Sequence, residues 1–117
     1  MNESDTRPWG KFEILASESA FQVKVITVNS GGRLSYQRHQ HRSEHWFVVG
    51  GEGRVTLDGT TLDVTAGSSV DVAVGMAHRI QNIGSDPLVF IEVQRGTYFG
   101  EDDIERLSDD YGRADSR

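Results

Sequence analysis

Three of the chain's four histidines, His39, His41 and His45, fall within seven residues, and the fourth, His78, stands alone further along. Side chains of an extended segment alternate between faces, so Gln37, His39 and His41 point the same way if residues 33–41 run as a strand. Glu44 follows closely, and imidazole with carboxylate is a ligand set suited to Zn, Fe, Mn, Ni or Co. The chain contains no cysteine, so any ion must be bound through nitrogen and oxygen, and disulfides and thiolate nucleophiles are excluded together. A histidine-rich turn is equally compatible with a solvated loop, and clustering alone does not separate the two readings. In a regular strand His45 faces away from its neighbour Glu44, as a surface or interface histidine, while Trp46 and Val48 share the Glu44 face and pack inside.

The elements that must position these residues read as β-structure throughout. Short alternating or β-branched runs at Lys11–Leu15, Phe21–Val28, Arg33–His39, Glu44–Val49, Gly53–Leu57, Thr60–Val64, Ser69–Val72, His78–Gln81 and Leu88–Gln94 are separated by glycine-rich and polar turns. Asp58-Gly59 is the clearest hairpin turn among them. Such spacing predicts an all-β fold of two facing antiparallel sheets. Glu101–Asp110, with Ile104 and Leu107 at helical spacing and acidic residues at its start, predicts one short C-terminal helix. With 117 residues and no internal boundary, a single domain over residues 7–113 is expected, flanked by flexible tails at 1–6 and 114–117. A net charge of −6 and a pI near 5.1 argue against a nucleic-acid partner. No run approaches the roughly 20 apolar residues of a membrane span, and Met1–Thr6 has no apolar core, so a soluble cytoplasmic protein is expected.

The glycines around the histidines carry a more specific pattern. Gly31, five residues, Gln37-x-His39, four residues, Glu44, six residues and Gly51 resemble the first sequence motif of the cupins, with glutamine where its first histidine usually stands. Gly67, five residues, Ala73-Val74-Gly75, two residues, His78, three residues and Asn82 resemble the second motif, with Ala73 in place of a proline. The resemblance implies a cupin double-stranded β-helix, a jelly-roll barrel of two antiparallel sheets. It also implies one divalent metal ion, zinc first and Fe, Mn, Ni or Co otherwise, held by Gln37, His39, Glu44 and His78. Gln37 has a second reading as an ordinary polar barrel residue. His41 is then displaced from the ligand set: it either replaces Gln37 there or stands toward the mouth as an acid/base group.

A narrower likeness runs from Arg7 to Arg113. Arg7-Pro8-Trp9-Gly10, Leu34-Ser35-Tyr36-Gln37, Arg42-Ser43-Glu44-His45-Trp46, Gly75 with His78-Arg79 and Asn82, and above all the ending Gly96-Thr97-Tyr98-Phe99-Gly100-Glu101-Asp102-Asp103-Ile104-Glu105-Arg106 resemble the type II phosphomannose isomerases. These include the cupin domain at the C-terminus of bifunctional mannose-1-phosphate guanylyltransferase/mannose-6-phosphate isomerases. The resemblance implies interconversion of mannose 6-phosphate and fructose 6-phosphate. His41 is the expected proton-transfer group, and Arg42, Arg79 and Arg106 are the expected phosphate-binding cations. Each arginine also reads as a solvated charge or as the partner of a nearby acid. Only six residues stand before Arg7 and no glycine-rich phosphate loop is present, so no guanylyltransferase activity is expected. A non-catalytic sugar-phosphate-binding cupin and a metal-dependent cupin oxygenase remain as alternatives. A homodimer, formed through the Lys11–Val28 region, is the expected assembly.

Overall fold

The computed structural model describes residues 3–112. Eleven strands run in chain order as β1 (Glu3–Arg7), β2 (Gly10–Ser17), β3 (Phe21–Val28), β4 (Tyr36–Arg38), β5 (Arg42–Gly50), β6 (Gly53–Leu57), β7 (Thr60–Val64), β8 (Ser69–Val72), β9 (His78–Asn82), β10 (Leu88–Gly96) and β11 (Glu105–Ser108). They form a six-stranded sheet in the order β1-β2-β3-β10-β5-β8 and a five-stranded sheet in the order β11-β4-β9-β6-β7, with every named pair antiparallel. Two apolar inner faces meet in one core: Phe12, Ile26, Val28, Trp46, Val48, Leu88 and Phe90 from the larger sheet pack with Val55, Val64 and Ile80 from the smaller. The expected all-β barrel of two antiparallel sheets is present. Among the described residues there is no helix, so none is long and apolar enough to cross a membrane.

Three central strands of the larger sheet place the site. Their inward faces are Gln22, Lys24, Ile26 and Val28 on β3, Leu88, Phe90, Glu92 and Gln94 on β10, and Arg42, Glu44, Trp46 and Val48 on β5, all buried. Antiparallel register lines like up with like. Val28 faces Leu88 and Ile26 faces Phe90, whereas Lys24 faces Glu92, Gln22 faces Gln94, and Gln94 in turn faces Glu44. One end of the barrel is therefore filled with hydrocarbon and the other with buried polar groups, which require partners or a ligand.

Turn chemistry fixes the smaller sheet. Asp58 and Gly59 both have positive φ, at 45° and 86°, as a two-residue type I′ hairpin requires, and they join β6 to β7. The same aspartate accepts the Ala77 N–H at 2.8 Å just before β9, which ties the hairpin to the strand that carries His78. Gly96, at the end of β10, is required by proximity: a Cβ there would lie 2.1 Å from the His41 carbonyl oxygen.

Two expectations are corrected. The helix over Glu101–Asp110 is absent; the segment turns and then pairs as β11 with β4, Arg106 opposite Gln37 and Glu105 opposite Arg38. Its physical cause is Asp103. This buried carboxylate accepts the backbone N–H groups of Gln40 at 2.9 Å and His41 at 3.0 Å, which ties the segment to the loop between β4 and β5. Tertiary hydrogen bonds and a vacant strand edge override a helical spacing of two apolar residues. At the other end, Glu3–Arg7 is strand β1 paired along β2, within the segment expected as an N-terminal tail. The tail expected at 114–117, with Arg113, Met1 and Asn2, lies outside the described residues.

Candidate metal centre

Gln37, His39, Glu44 and His78 come from two sheets and line one cavity of about 80 Å³ at the polar end of the barrel. Gln37 on β4 sits directly opposite His78 on β9, so both point inward. His39 follows β4 in the loop that Asp103 clasps, and Glu44 is the second inward residue of β5. One ligand atom from each of His39, Glu44 and His78 lies within 4.8 Å of the other two. The closest approaches are His39 Nε2 to Glu44 Oε2 at 3.3 Å and His78 Nε2 to Glu44 Oε1 at 3.8 Å.

The chemistry of this donor set fits a divalent ion. Nδ1 of His39 lies 2.6 Å from the Asp103 carbonyl oxygen, and Nδ1 of His78 lies 2.9 Å from that of Met76. A carbonyl can only accept, so each Nδ1 carries the proton and each Nε2 presents its lone pair to the centre, the usual way a protein orients histidine toward a metal. Burial holds His39 in its neutral form by bringing its pKa down to about 4, against the opposing pull of Glu44. Burial alone would raise Glu44, but His78, Arg42 and His39, with the Trp46 indole N–H, bring it down to about 2, and it stays an anion. Two imidazoles with Nε2 turned inward and a carboxylate are a donor set such a cation takes.

The neighbours hold these groups in place. Trp46 Nε1 donates to Glu44 Oε1 at 2.9 Å, and its ring packs edge-on to His78 with centroids 5.7 Å apart. Substituting Trp46 with phenylalanine keeps an aromatic ring and removes that hydrogen bond. Metal affinity is expected to fall about 10–100-fold, read by competition with a chromophoric chelator, while the fold persists by circular dichroism. Unchanged affinity would mean that Glu44 is oriented by other groups.

The remaining expected site residues divide. Arg42 lines the cavity but is no open fork: it is buried, its Nε donates to Glu44 Oε2 at 2.9 Å, and its Nη2 lies 3.3 Å from His39 Nε2. Arg106 lines the cavity from β11, opposite Gln37. Arg79 borders it, but as the outward neighbour of His78 its guanidinium lies 5.9 Å from the Tyr36 ring centroid and its Nε donates to the Leu34 carbonyl. His41 is not brought to the mouth. It is exposed, packs edge-on to Tyr98 at 6.1 Å, and is not among the cavity's lining residues, because β4 ends at Arg38 and the chain turns before His41. His45 faces outward, as its position next to Glu44 implied, and pairs with Asp71 at 2.6 Å.

Sequence reading passed over Lys24, Glu92 and Glu101, which line the same cavity. The signal was a lysine and a glutamate at inward positions of strands whose other inward half is apolar, Ile26 and Val28 on β3 and Leu88 and Phe90 on β10. Burial, reinforced by the Glu44 charge, pushes the Glu92 carboxyl up to about 8, and Gln94 Nε2 donates to it at 2.5 Å.

The model of a family described as mannose-6-phosphate isomerase C-terminal matches residues 1–109. The chain is similar to the alginate biosynthesis protein AlgA of Pseudomonas aeruginosa, with 51% identity over 107 residues, 92% of this chain and 22% of that protein. It is also similar to the xanthan biosynthesis protein XanB of Xanthomonas campestris, with 49% identity over 107 residues, 92% of this chain and 23% of that one. The chain thus spans about a fifth of the length of these curated relatives. Among solved structures, the Bacillus subtilis oxalate decarboxylase studied for its Mn(II) centers superposes with a TM-score of 0.77 at 26% identity, covering 90% of this chain and 30% of that one.

Proposed function

Because the chain belongs to the mannose-6-phosphate isomerase C-terminal family, we propose that it is a metal-dependent aldose–ketose isomerase that interconverts mannose 6-phosphate and fructose 6-phosphate. The observation that carries this reading is the buried His39–Glu44–His78 triad with both imidazole Nε2 atoms turned inward, in a cavity whose walls also bear cations. Gln37 is the fourth group of the set; its Nε2 donates to the Ser35 carbonyl at 3.3 Å, so its amide oxygen is what it offers inward. A divalent ion, zinc first, would polarise the substrate's carbonyl and hydroxyl oxygens and stabilise the charge of the enediolate.

The chain's own groups do the rest. Isomerisation moves a proton between C1 and C2, and the group that carries it must reach those carbons from the wall. His41 stands outside the cavity, whereas the Glu92 carboxyl group lines it, so we assign the transfer to Glu92 rather than to His41. The barrel's hydrocarbon end, with Trp46 and Phe90 at 5.2 Å, closes the site behind and keeps water out. The names of the relatives, alginate and xanthan biosynthesis proteins, support a role for such a reaction in polysaccharide synthesis. A homodimer belongs to the same reading. Since β1 covers the edge of β2, it would form through the outward face of β3, β10 and β5, where Val93, Phe47 and Val49 are exposed.

The test is conversion of mannose 6-phosphate to fructose 6-phosphate by the purified chain, with and without chelator. Turnover that chelation abolishes and added metal restores is the expected result. In the same assay His41→Ala is expected to keep most of its rate and Glu92→Gln to lose about 10²–10⁴-fold. Binding of mannose 6-phosphate without turnover in metal-loaded protein would make the chain a sugar-phosphate-binding cupin instead.

A further inference from the structure

Where the polar end of the barrel opens outward, one carboxylate is surrounded by cations. Lys24 is 5% exposed, projects inward from β3, and places its ammonium 4.4 Å from the Phe12 ring centroid. Arg7 lies 5.0 Å from the centroid of the same ring. Lys24 Nζ donates to Glu101 Oε2 at 3.0 Å. Glu101 comes from the loop between β10 and β11, and unlike Lys24 its side chain is 59% exposed. Arg7, Phe12 and Glu101 line both the inner cavity and a second hollow, lined also by Phe99 and Gly100, so Glu101 stands at the junction between the two. Against a burial cost that opposes it, the nearby Lys24, Arg42 and Arg7 hold the Glu101 carboxyl below its ordinary range.

We infer that Lys24, with Arg7 and Arg42 around it, is the anion subsite of this cavity, and that the Glu101 carboxylate fills it until the phosphate monoester of a ligand takes its place. The two partners differ in mobility. Lys24 is fixed by burial against Phe12, whereas the exposed Glu101 can turn into solvent once a phosphate compensates the buried ammonium in its place. A phosphate brings nearly two negative charges and three acceptor oxygens to donors that now meet one carboxylate. Arg42 is shared between this subsite and Glu44, while Arg79 is engaged with Leu34 and Tyr36 and Arg106 lines the cavity from β11, opposite Gln37. The acids facing the subsite are Glu92, opposite Lys24, and Asp5, paired with Arg7. The subsite deepens the sugar-phosphate reading and rests on it only for the identity of the ligand.

Calorimetric titration of chelator-treated protein with inorganic phosphate tests the subsite without any contribution from a metal. Glu101→Gln, which removes the competing charge, is expected to bind phosphate about tenfold more tightly than the unaltered chain. Lys24→Met should bind at least about tenfold more weakly, and Lys24→Arg should recover most of the loss. A parallel titration of metal-loaded protein with mannose 6-phosphate should follow the same order. Phosphate affinity unchanged in Lys24→Met overturns the inference; should that variant fail to fold, no gain in Glu101→Gln does so. The isomerase reading is judged separately: the phosphate order with no turnover sinks that reading alone, and turnover without the order sinks the subsite alone.

Discussion

Arg42→Met is expected to lower the stability of the metal-free protein by about 3–5 kcal/mol, because it leaves the Glu44 carboxylate buried without its guanidinium partner. Glu44 is 4% exposed and takes Arg42 Nε at 2.9 Å on one oxygen and Trp46 Nε1 at 2.9 Å on the other. Methionine keeps most of the side-chain length, so the loss reflects the charge more than a void. A divalent ion between His39, Glu44 and His78 would supply the missing positive charge and no longer compete with the guanidinium 3.3 Å from His39 Nε2. Added zinc should therefore raise the urea midpoint of Arg42→Met further than that of the unaltered chain. Equal shifts in the two proteins would mean that Arg42 and the ion act on different groups.

The second large effect is in pH. Glu92 has its carboxyl raised from 4.5 to about 8, chiefly by burial and then by the Glu44 charge. A raised folded-state value means that the native protein holds this proton where the unfolded chain has released it. The contribution is complete below 4.5 and is lost as pH rises from there through 8, by several kcal/mol at about 1.4 kcal/mol per pH unit. His39, lowered from 6.5 to about 4, has the opposite slope: its contribution is complete above 6.5 and is lost as pH falls toward 4. Metal-free protein should thus be destabilised on both sides of a mildly acidic optimum. Glu92→Gln keeps the shape and removes the titration, so it should hold its stability up to pH 8 while the parent loses it. Parallel denaturation curves for the two proteins between pH 5 and 8 would contradict the buried, protonated Glu92.

Much of this architecture was legible in the order of residues. Period-two alternation and the Asp58-Gly59 turn located the strands, and the faces of Glu44, His45, Trp46 and Val48 followed from alternation alone. The His39, Glu44 and His78 convergence needed the glycine spacing as well, since nothing in residues 37–45 says that β9 will lie across from β4. The C-terminal segment was misread because helical spacing is local, whereas the hydrogen bonds of Asp103 to Gln40 and His41 span more than sixty residues. His41 was misplaced for a related reason: alternation holds only while the strand lasts, and β4 stops at Arg38. Lys24 and Glu92 were in principle readable. On β3, β10 and β5 the inward set changes from Ile26/Val28, Phe90/Leu88 and Trp46/Val48 to Lys24, Glu92 and Glu44, but only the registers of β10 against β3 and β5 show that the polar ends coincide.

The isomerase reading turns on a divalent ion between His39, Glu44 and His78, so its most direct measurement is elemental analysis of protein purified without chelator, for the unaltered chain and for His78→Ala. About one divalent ion per chain in the first and loss of most of it in the second is the expected result. Full occupancy in His78→Ala, with the fold intact by circular dichroism, would contradict the account and place the ion, and the chemistry, elsewhere in the barrel.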